Sequence, residues 1–477
     1  MDFIELTTEL QQIITPDQAW YYSIIPQNND DAISFYIDRK KVNGSTADEL
    51  EILFGKPVNL EKTDSQLINK TLGKYYRKRE ERKIKRKVQN VLFDNNQHED
   101  ILYKLIDEAN SVNSSDIHIE SYKDKCRVRL RIDGKLIERN TFSKSEYPAL
   151  VNKVKIKANL DIAEKRLPQD GRILFESDNG EFDIRVSTLP SLFGEKIVLR
   201  LLSRDSTEIN IRQLGFEEKQ LSDYLEGLKK THGIILISGP TGSGKTTTLY
   251  ATLKILNNED TNILTIEDPI EYTLDGINQV QLKESIGLTF ASALRTFLRQ
   301  DPDIIMLGEI RDPETAQMAI RAALTGHLVL STIHTNSAWG TVSRLIDMGI
   351  PSFLLADTLN LSIAQRLVRL LCPKCKKKQA FERYNMSSVI KDKYKSKWHY
   401  TAQGCEYCYY TGYKGRRAIF EVIPINTDIA QNIKNEVYNI NEYLKTKSIK
   451  TMQEIAIDLV CDGETSFNEI YPILLNN

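Results

Sequence analysis

No apolar stretch in the sequence approaches the roughly 20 residues that a helix needs to span a bilayer. The first residues, MDFIELTTELQQIITPDQAW, are acidic and lack the basic segment and apolar core of a secretory signal. Net charge is also scarce, since 64 Lys and Arg face 65 Asp and Glu, which excludes a general attraction to nucleic acid or anionic lipid. We therefore predict a cytoplasmic protein that contacts a membrane only through partners.

Cysteine is scarce as well, with six in 477 residues. Four of them form the pairs Cys372/Cys375 and Cys405/Cys408, while Cys126 stands alone, as does Cys461. In a reducing compartment, such close pairs indicate metal binding more readily than disulfides. Two Cys-x-x-Cys pairs supply four thiolates, which suit a tetrahedral Zn²⁺ with no open position. We predict a structural zinc site, and we expect the two lone thiols to be buried.

The chain is long enough for about three domains, and its 41% hydrophobic and 27% charged residues are typical of globular proteins. Residues 1–75 mix short apolar runs with polar turns, which predicts a small α+β domain. Residues 76–98 contain the run RKREERKIKRK. This run predicts a solvated helical linker, and contact with acidic lipid or nucleic acid is the alternative.

Residues 99–210 follow a period of two. In CRVRLRIDGKL, Val128, Leu130 and Ile132 point to one face, arginines alternate on the other, and Asp133-Gly134 offers a hairpin turn. Further strands are predicted in SDIHIES, GRILFES, FDIRVST and EKIVLRLL. We expect an antiparallel sheet with one solvated face and the segment EYPALVNKVKIKANL as a helix on the other.

Residues 211–370 repeat the order strand, glycine loop, helix, which is typical of an α/β nucleotide-binding core with a parallel sheet. The apolar runs GIILISG, NILTIED, DIIMLGE and HLVLSTIH are its predicted strands. Asp312 can cap a helix that begins at Pro313 and stops at Gly326. The zinc module at 371–425 and a helical segment at 426–477 complete the predicted domains.

The segment GPTGSGKTTTLY matches the pattern G-x4-G-K-[ST] between a predicted strand and a predicted helix, which is the context of a phosphate-binding P-loop. Backbone N–H groups at a helix N-terminus cradle phosphates, Lys245 can reach the terminal phosphates, and Thr246 can bind Mg²⁺. We predict ATP and Mg²⁺ as cofactors. The nucleotide is expected to contact Gly239, Pro240, Thr241, Gly242, Ser243, Gly244, Lys245, Thr246 and Thr247.

The strand IIMLGEIRD has Gly308 where nucleotide-hydrolysing motors usually keep a metal-binding aspartate. Another carboxylate must then hold the magnesium, directly or through water, because Mg²⁺ prefers oxygen ligands. The segment IEDPIE offers Glu267, Asp268 and Glu271 at the end of a neighbouring strand. Glu309 is then available to orient or deprotonate the attacking water. The alternative is that these acids only cap loops.

Four segments together resemble the Walker A, Asp box, Walker B and His box of the ATPases of type II secretion and type IV pilus assembly, the GspE and PilB family. They are GPTGSGKTTTLY, IEDPIE, LRQDPDIIMLGEIRDPETA and ALTGHLVLSTIHTNSA. The resemblance covers about residues 100–425, and a glycine before the Walker B glutamate is usual in this family. It implies a RecA-like ATPase core, a preceding α+β PAS-like sheet domain, and an N-terminal domain that docks on a partner.

The resemblance also assigns roles to residues outside the P-loop. It implies that Glu309 is the catalytic glutamate and that Glu267 and Asp268 organise metal and water. Two histidines are implied to act near the γ-phosphate, and two arginines to reach the nucleotide from the sheet domain, with a structural histidine and a surface ion pair as the alternatives. These four residues are His327, His334, Arg185 and Arg200. Two more arginines, Arg295 and Arg299, are expected at the same site or at a subunit interface.

The function implied by the resemblance is that of a homohexameric motor ATPase, peripheral at the inner membrane. It would act on membrane platform and cytoplasmic-domain proteins to drive pseudopilus assembly in type II secretion, or type IV pilus extension. The family's tetracysteine insertion and long N-terminal region favour assembly over pilus retraction. No cyclic di-GMP motif is found in the N-terminal region, so we do not predict that ligand.

Two other classes of function remain open at this point. A nucleic-acid motor would use the zinc module with Arg127, Arg129 and Arg131 to hold phosphates. The near-zero net charge and a zinc region without aromatics among its basic residues disfavour it. A non-hydrolysing scaffold is disfavoured because Lys245, Thr246 and Glu309 are all present.

Overall fold

The computed structural model describes residues 3–11, 13–29, 32–39, 46–54, 56–76, 101–177, 180–202, 210–380, 398–437 and 439–475. The chain divides into two compact units, Met1–Val91 and Leu92–Asn477. The charged run at 77–87, which we predict to be a linker, lies outside the described residues.

The first unit combines helices with a small mixed sheet, as its sequence predicts. Strand β2 pairs antiparallel with β1 and parallel with β3. Side chains such as Phe35, Leu50 and Ile68 are buried between the sheet and the helices. The elements are α1 Thr8–Gln11, α2 Pro16–Tyr22, β1 Ile24–Asn29, β2 Ile33–Asp38, α3 Thr46–Phe54, β3 Val58–Thr63 and α4 Ser65–Tyr75.

The second unit begins with an antiparallel sheet whose strand order is β6–β5–β4–β9–β8–β7. Asp133 and Gly134 both have positive φ and join β5 to β6 in the predicted two-residue turn. Alternate residues of β5 are buried beneath α5 and α6, which confirms the predicted solvated and apolar faces. The elements are α5 Ile101–Ser111, β4 Asp116–Ser121, β5 Cys126–Ile132, β6 Lys135–Phe142, α6 Tyr147–Lys157, β7 Gln169–Ser177, β8 Gly180–Ser191 and β9 Gly194–Leu202.

A second, larger sheet follows, with the strand order β12–β11–β13–β14–β10–β15–β18 among the described residues. All its pairs are parallel except β15 with β18. The four predicted strands β10, β11, β13 and β14 are fully buried, because helices cover both faces. The strands are β10 Gly233–Ser238, β11 Ile263–Glu267, β12 Asn278–Gln281, β13 Ile304–Leu307, β14 Leu328–Ile333, β15 Leu359–Leu371 and β18 Tyr413–Pro424.

The helices around this sheet begin where the sequence offers caps. Asp312 accepts a hydrogen bond from the amide of Thr315 at 2.8 Å, and the helix starts at Pro313 as predicted. The helices are α7 Glu218–Leu228, α8 Lys245–Leu256, α9 Phe290–Phe297, α10 Pro313–Leu324, α11 Gly340–Asp347 and α12 Ser352–Thr358. Single 3₁₀ turns cover Ile211–Gln213, Glu284–Ile286 and Glu406–Cys408.

The last part of the chain belongs to the same core. Residues 413–424, which we predict within the zinc module, instead form β18 at the edge of the large sheet. The sequence did not reveal this strand, because apolar and polar residues do not alternate regularly along Tyr413–Pro424. The remaining elements are β16 Lys377–Ala380, β17 Trp398–Thr401, α13 Thr427–Lys434, α14 Asn441–Thr446, α15 Met452–Cys461 and α16 Phe467–Leu475.

Two sequence expectations about the surface can now be compared with the fold. Cys126 is buried in the antiparallel sheet, as predicted, whereas Cys461 is exposed, so that prediction was wrong. Cys461 is the final residue of α15, where the helix emerges from the core. In the part of the chain that the structure describes, no helix has both the length and the apolar content that crossing a bilayer requires.

Candidate nucleotide site and metal centre

The P-loop, residues 239–247, joins the carboxyl end of β10 to the start of α8. Gly244 precedes the helix in a left-handed conformation, with φ of +88°. A Cβ at Gly239 would lie 2.5 Å from the carbonyl oxygen of Gln365 and 2.7 Å from Ser243 Oγ. Only glycine fits at that position, because neither backbone nor a buried side chain can yield by so much. The loop therefore presents its backbone at the N-terminus of a 12-residue helix.

Lys245 lies within this loop. Its Nζ donates to the carbonyl oxygens of Gly239 at 2.8 Å and Pro240 at 3.2 Å. Burial lowers the pKa of Lys245, and the carboxylate of Glu309 acts in the opposite direction. Thr246 is exposed in the first turn of α8, where its hydroxyl can reach a metal ion. The residue types and the geometry suit a nucleoside phosphate with Mg²⁺.

Two residues of β15 support the loop, and sequence reasoning did not find them. Gln365 Nε2 donates to the Ser243 carbonyl oxygen at 3.0 Å, and Gln365 Oε1 accepts from Thr248 Oγ1 at 2.9 Å. Arg366 donates to the carbonyl oxygen of Asn336, in the loop after β14, at 2.8 Å. Both side chains are buried. No local pattern announces them, because they stand about 120 residues after the loop that they contact.

Gly308 follows β13 and lies against the neighbouring strand. Its amide donates to the Ile266 carbonyl oxygen at 2.8 Å, and its carbonyl oxygen accepts from Thr332 Oγ1 at 2.8 Å. A Cβ at this position would lie 3.3 Å from the Ile266 oxygen and 3.4 Å from Glu267 Cα. An aspartate would therefore be crowded by backbone on its first side-chain atom. The close pairing of β11 with β13 explains why a glycine stands here.

Four polar residues meet where β11, β13 and β14 end. His334 Nε2 lies 3.3 Å from Glu309 Oε2, and the Arg311 guanidinium forms ion pairs with both Glu309 and Asp268, the latter at 3.4 Å. Because carboxyl ends of parallel strands share one edge of the sheet, this cluster lies on the same edge as the P-loop. The sequence prediction grouped Asp268, Glu309 and His334 correctly in space but omitted Arg311.

Glu267 occupies a different environment from Asp268. It is only 3% exposed, and its carboxylate accepts hydrogen bonds from Thr265 Oγ1 at 2.6 Å, from Gln279 Nε2 at 3.1 Å and from the Tyr250 hydroxyl. Burial and the adjacent carboxylate of Glu267 raise the pKa of Tyr250, which keeps the phenol protonated and donating. Glu267 thus ties the P-loop helix to strands β11 and β12.

The two predicted arginines are neighbours across β8 and β9, yet they reach different partners. Arg185 extends from the antiparallel sheet to the segment after β11, where it contacts the Ile270 carbonyl oxygen and lies 3.4 Å from a carboxylate oxygen of Glu271. Arg200 instead pairs with Asp116 of its own sheet at 3.0 Å. Arg185 therefore joins the antiparallel sheet to the acidic segment of the large sheet, and Arg200 does not.

The two predicted histidines lie at opposite ends of β14. His334 follows the strand and contacts Glu309, whereas His327 precedes it, and its Nδ1 lies 2.9 Å from the Ala322 carbonyl oxygen. At about 3.3 Å per residue, the strand separates them by roughly 20 Å. The structure therefore does not bring His327 to the P-loop of the same chain.

Arg295 and Arg299 lie on and just after α9, on its exposed side. Arg295 pairs with Glu314 at the start of α10, and Arg299 Nη1 donates to the Arg295 carbonyl oxygen at 2.8 Å. Neither arginine contacts a P-loop residue in the described part of the chain. Their expected place at the site or at a subunit interface stays a prediction.

The four paired cysteines form one cluster. The Sγ atoms of Cys372, Cys375, Cys405 and Cys408 all lie within 4.8 Å of one another. Backbone amides point at two of them: Gly404 donates to Cys375 Sγ at 3.3 Å, and Gly412 donates to Cys408 Sγ at 3.2 Å. Burial opposes ionisation of Cys408, but the amide donors outweigh it and lower its pKa to about 7. The cluster can hold a metal ion.

Comparison with known proteins agrees with this geometry. A family model described as type II/IV secretion system protein matches residues 92–472. The type IV pilus assembly ATPase PilB of Myxococcus xanthus is 47% identical over 372 residues, which cover 75% of this chain and 64% of that protein. The type II secretion system protein E of Pseudomonas aeruginosa is 48% identical over 336 residues, covering 70% of this chain and 67% of that protein.

A solved structure shares the fold. The ATPase DotB of Legionella pneumophila aligns with a TM-score of 0.61 at 23% identity, covering 79% of this chain and 95% of that structure. At this identity the likeness concerns the fold alone, and it supports the α/β class predicted from the sequence. The chain spans about two thirds of the length of the two relatives named above.

Proposed function

Because the chain belongs to the type II/IV secretion system protein family, we propose that it is a motor ATPase that drives assembly of a pseudopilus or pilus. One observation carries the proposal: Asp268, Glu309 and His334 meet at the sheet edge that also presents the P-loop. Phosphoryl transfer depends mainly on positioning and charge stabilisation, and this edge offers donors, an ammonium and carboxylates together.

Each residue of the cluster has a proposed task. Backbone N–H groups of residues 239–247 bind the phosphates, Lys245 stabilises the terminal ones, and Thr246 binds Mg²⁺. Asp268 would hold the metal through water, and so replace the aspartate that is missing at position 308. Glu309 orients or deprotonates the attacking water, and His334 orients Glu309.

Glu267 and His327 enter this scheme differently from the sequence expectation. Because three donors already occupy the Glu267 carboxylate, we assign it to positioning Asp268, the residue that directly follows it at the end of β11. His327 lies at the far end of β14 and is left out of the reacting set of its own chain. Arg311 joins the set, since it contacts both Glu309 and Asp268.

Arg185 is the proposed link between hydrolysis and movement. It connects the antiparallel sheet to Ile270 and Glu271, which follow Asp268 by two and three positions. A change in charge at the metal can then be transmitted to the antiparallel sheet through one guanidinium. Arg200 is proposed to join only when the two sheets approach further, because it now pairs with Asp116. We also propose that the sheet domain at 99–210 is PAS-like.

Zinc is the metal proposed for the cysteine cluster. An all-thiolate, four-ligand set is typical of structural Zn²⁺, and the amides directed at sulfur stabilise thiolates. The ion would join the segment after β15 to the segment before β18, and so fix the module on the core. It supplies no catalytic step, because four thiolates leave no open position.

The assembly and partners extend the proposal to the whole protein. We propose a ring of six copies that acts at the cytoplasmic face of the inner membrane. Its N-terminal unit would dock on a component of the secretion or pilus apparatus, and the ring would move a membrane platform that adds pilin-like subunits. Relatives named for type II secretion and for pilus assembly are equally close, so both outputs stay within the proposal.

The nucleic-acid alternative gains little from the antiparallel sheet. Arg127 and Arg129 form ion pairs with Glu120 at 2.8 and 2.7 Å, and Arg131 pairs with Asp116 at 3.1 Å. These arginines are neutralised within the sheet, so they are poor phosphate contacts. One argument from the sequence against a nucleic-acid motor was that the zinc region lacks aromatics among its basic residues. That argument was wrong, because aromatic rings do lie among the lysines of the cysteine module.

Hydrolysis by the purified full chain tests the proposal. We expect Mg²⁺-dependent release of phosphate from ATP, and loss of nearly all turnover in Lys245→Ala, since the ammonium is missing. Nucleotide binding and oligomer mass are measured in parallel. A wild-type protein that binds ATP, forms rings and releases no phosphate would instead support the scaffold alternative.

A further inference from the structure

The described part of the cysteine module carries a strong positive charge, although the chain as a whole is nearly neutral. Its described residues, 372–380 and 398–417, contain seven Lys and Arg and one acid, Glu406, in a chain whose total charge is −1. A divalent ion bound by four thiolates would subtract two charges from the resulting +6. A net charge of +4 would therefore remain, so the lysines and arginines are more numerous than charge balance at the metal site requires.

The module's lysines and arginines differ in their partners among the described residues. Within the described residues, the module's arginines face Asp133 and Glu464, whereas none of its five lysines forms an ion pair. Lys376 Nζ donates to the Gly463 carbonyl oxygen at 2.8 Å. The remaining lysines are Lys374, Lys377, Lys378 and Lys414. Their charge is available to a partner from outside the chain.

Aromatic rings accompany these lysines. Lys374 Nζ lies 4.1 Å from the ring centre of Tyr407, and Lys414 Nζ lies 4.9 Å from that of Tyr409. A second group pairs Lys378 with Trp398 at 5.4 Å across β16 and β17. Tyr407 is 44% exposed and Trp398 is 50% exposed. We name Lys374, Lys378, Lys414, Trp398 and Tyr407 the knuckle surface.

The cysteine cluster builds part of this surface. Lys374 lies between Cys372 and Cys375, and Tyr407 lies between Cys405 and Cys408. The contact between Lys374 and Tyr407 therefore joins the two cysteine pairs on the outside, just as their sulfurs meet on the inside.

We propose that the knuckle surface binds an anionic phospholipid membrane. Lysine ammonium groups contact phosphate headgroups, and each basic residue near an anionic bilayer strengthens binding. Tyr and Trp rings are amphipathic and settle at the headgroup level. The chain has no long apolar helix among its described residues, so this contact is peripheral.

The geometry favours a membrane over nucleic acid. Single-stranded nucleic acid binds when bases stack on open aromatic faces. Here ammonium groups already lie 4.1 to 5.4 Å from the ring centres of Tyr400, Tyr407, Tyr409 and Trp398, where a stacked base would have to sit. A headgroup layer needs only the ammonium groups and exposed amphipathic rings, and Tyr407 and Trp398 are exposed.

Vesicle binding by the full chain tests this inference independently of ATP hydrolysis. Sedimentation is measured with phosphatidylcholine vesicles, with and without phosphatidylglycerol. We expect binding only to the anionic vesicles, and weakening as salt is added. Charge reversal by Lys374→Glu, Lys378→Glu and Lys414→Glu should lower the affinity at least about 100-fold, since loss of each lysine costs about fivefold and each glutamate adds repulsion.

A matched control has the same net charge. It carries Lys165→Glu, Lys283→Glu and Lys445→Glu, three exposed lysines outside the module. The basic run at 77–87 is present in both proteins, so only the knuckle surface distinguishes them. Bound zinc is measured in each variant. If the triple variant loses zinc, the single variant Lys378→Gln replaces it, and its affinity should fall about fivefold.

Tryptophan emission gives a second measurement. Trp398 should shift to shorter wavelength when anionic vesicles are added, and Trp398→Phe should abolish that shift. Equal vesicle binding by the two triple variants would overturn the inference. A wild-type protein that does not bind anionic vesicles would also overturn it. The same holds if that protein binds a labelled single-stranded oligonucleotide instead.

Discussion

Glu309 Oε2 lies 3.3 Å from His334 Nε2, and the two residues follow adjacent parallel strands of the large sheet. The histidine can therefore hold the carboxylate in one orientation. We expect His334→Asn to lower kcat for ATP hydrolysis by about 10- to 100-fold, because a misplaced base loses much of its contribution. Binding of a fluorescent ATP analogue should be nearly unchanged.

His327→Asn is the control for this prediction. His327 contacts the end of α10 through Ala322 and Thr325, about 20 Å along β14 from His334. Its substitution should lower the free energy of unfolding by about 1 kcal/mol, with a smaller change in kcat than His334→Asn causes. Equal losses of kcat in both variants would indicate that His327 acts on a nucleotide, from this chain or from its neighbour.

Restoring the usual aspartate at position 308 should harm the protein. In Gly308→Asp, the Cβ meets the Ile266 carbonyl oxygen at 3.3 Å, and the added carboxylate crowds the end of β13. We expect a loss of about 1–3 kcal/mol in the free energy of unfolding by urea, together with lower ATPase activity. Gly308→Ala should have an intermediate effect. An aspartate variant with wild-type stability and higher activity would contradict this explanation.

Gln365 should affect nucleotide binding without touching nucleotide. Gln365→Leu removes the donor to the Ser243 carbonyl oxygen and one of the two acceptors of the Thr248 hydroxyl, at a cost of about 1–3 kcal/mol. We expect a raised KM for ATP, because the P-loop loses its support. Gln365→Glu keeps the acceptor for Thr248 but sets a buried carboxylate oxygen against the Ser243 carbonyl oxygen, so its KM should rise at least as much as in Gln365→Leu. Unchanged KM values in both variants would remove Gln365 from the site.

The cysteine cluster should bind one metal ion per chain. Elemental analysis of the purified protein is expected to show zinc, and Cys408→Ser should lose most of it, because three thiolates bind more weakly than four. Thermal unfolding should shift to lower temperature in that variant. Cys126→Ser serves as the control, since Cys126 is buried far from the cluster in sequence and in a different hydrophobic core. Zinc retained at wild-type level in Cys408→Ser would exclude the site.

The elements with strong local signals were predictable from sequence. Strict alternation revealed β5, and Asp133-Gly134 fixed its turn, because both signals arise within a few neighbouring residues. The four buried strands of the large sheet were found from short apolar runs. The P-loop was equally visible, since its residues match one continuous short pattern and its three glycines all have positive φ.

Features that depend on residues distant in sequence were not predictable. Gln365 supports the P-loop, and Arg366 holds the loop after β14, from a strand that looks like any other buried strand. Glu267 and Asp268 are adjacent in sequence, yet alternation of side chains along β11 buries one and leaves the other at the sheet edge. The separation of His327 from His334 follows from the length of β14, which a motif alone does not convey.

The identity of the hydrolytic carboxylate is the central claim, and one comparison measures it most directly. Steady-state ATPase activity is determined for the wild type, Glu309→Gln and Glu267→Gln, with nucleotide binding and oligomer mass followed for each. We expect Glu309→Gln to bind ATP, assemble normally and lose most of its turnover. In Glu267→Gln, the main effect should be a lower free energy of unfolding, with a smaller loss of turnover. Wild-type turnover in Glu309→Gln would contradict the claim and move the catalytic role to the acidic segment at 267–271.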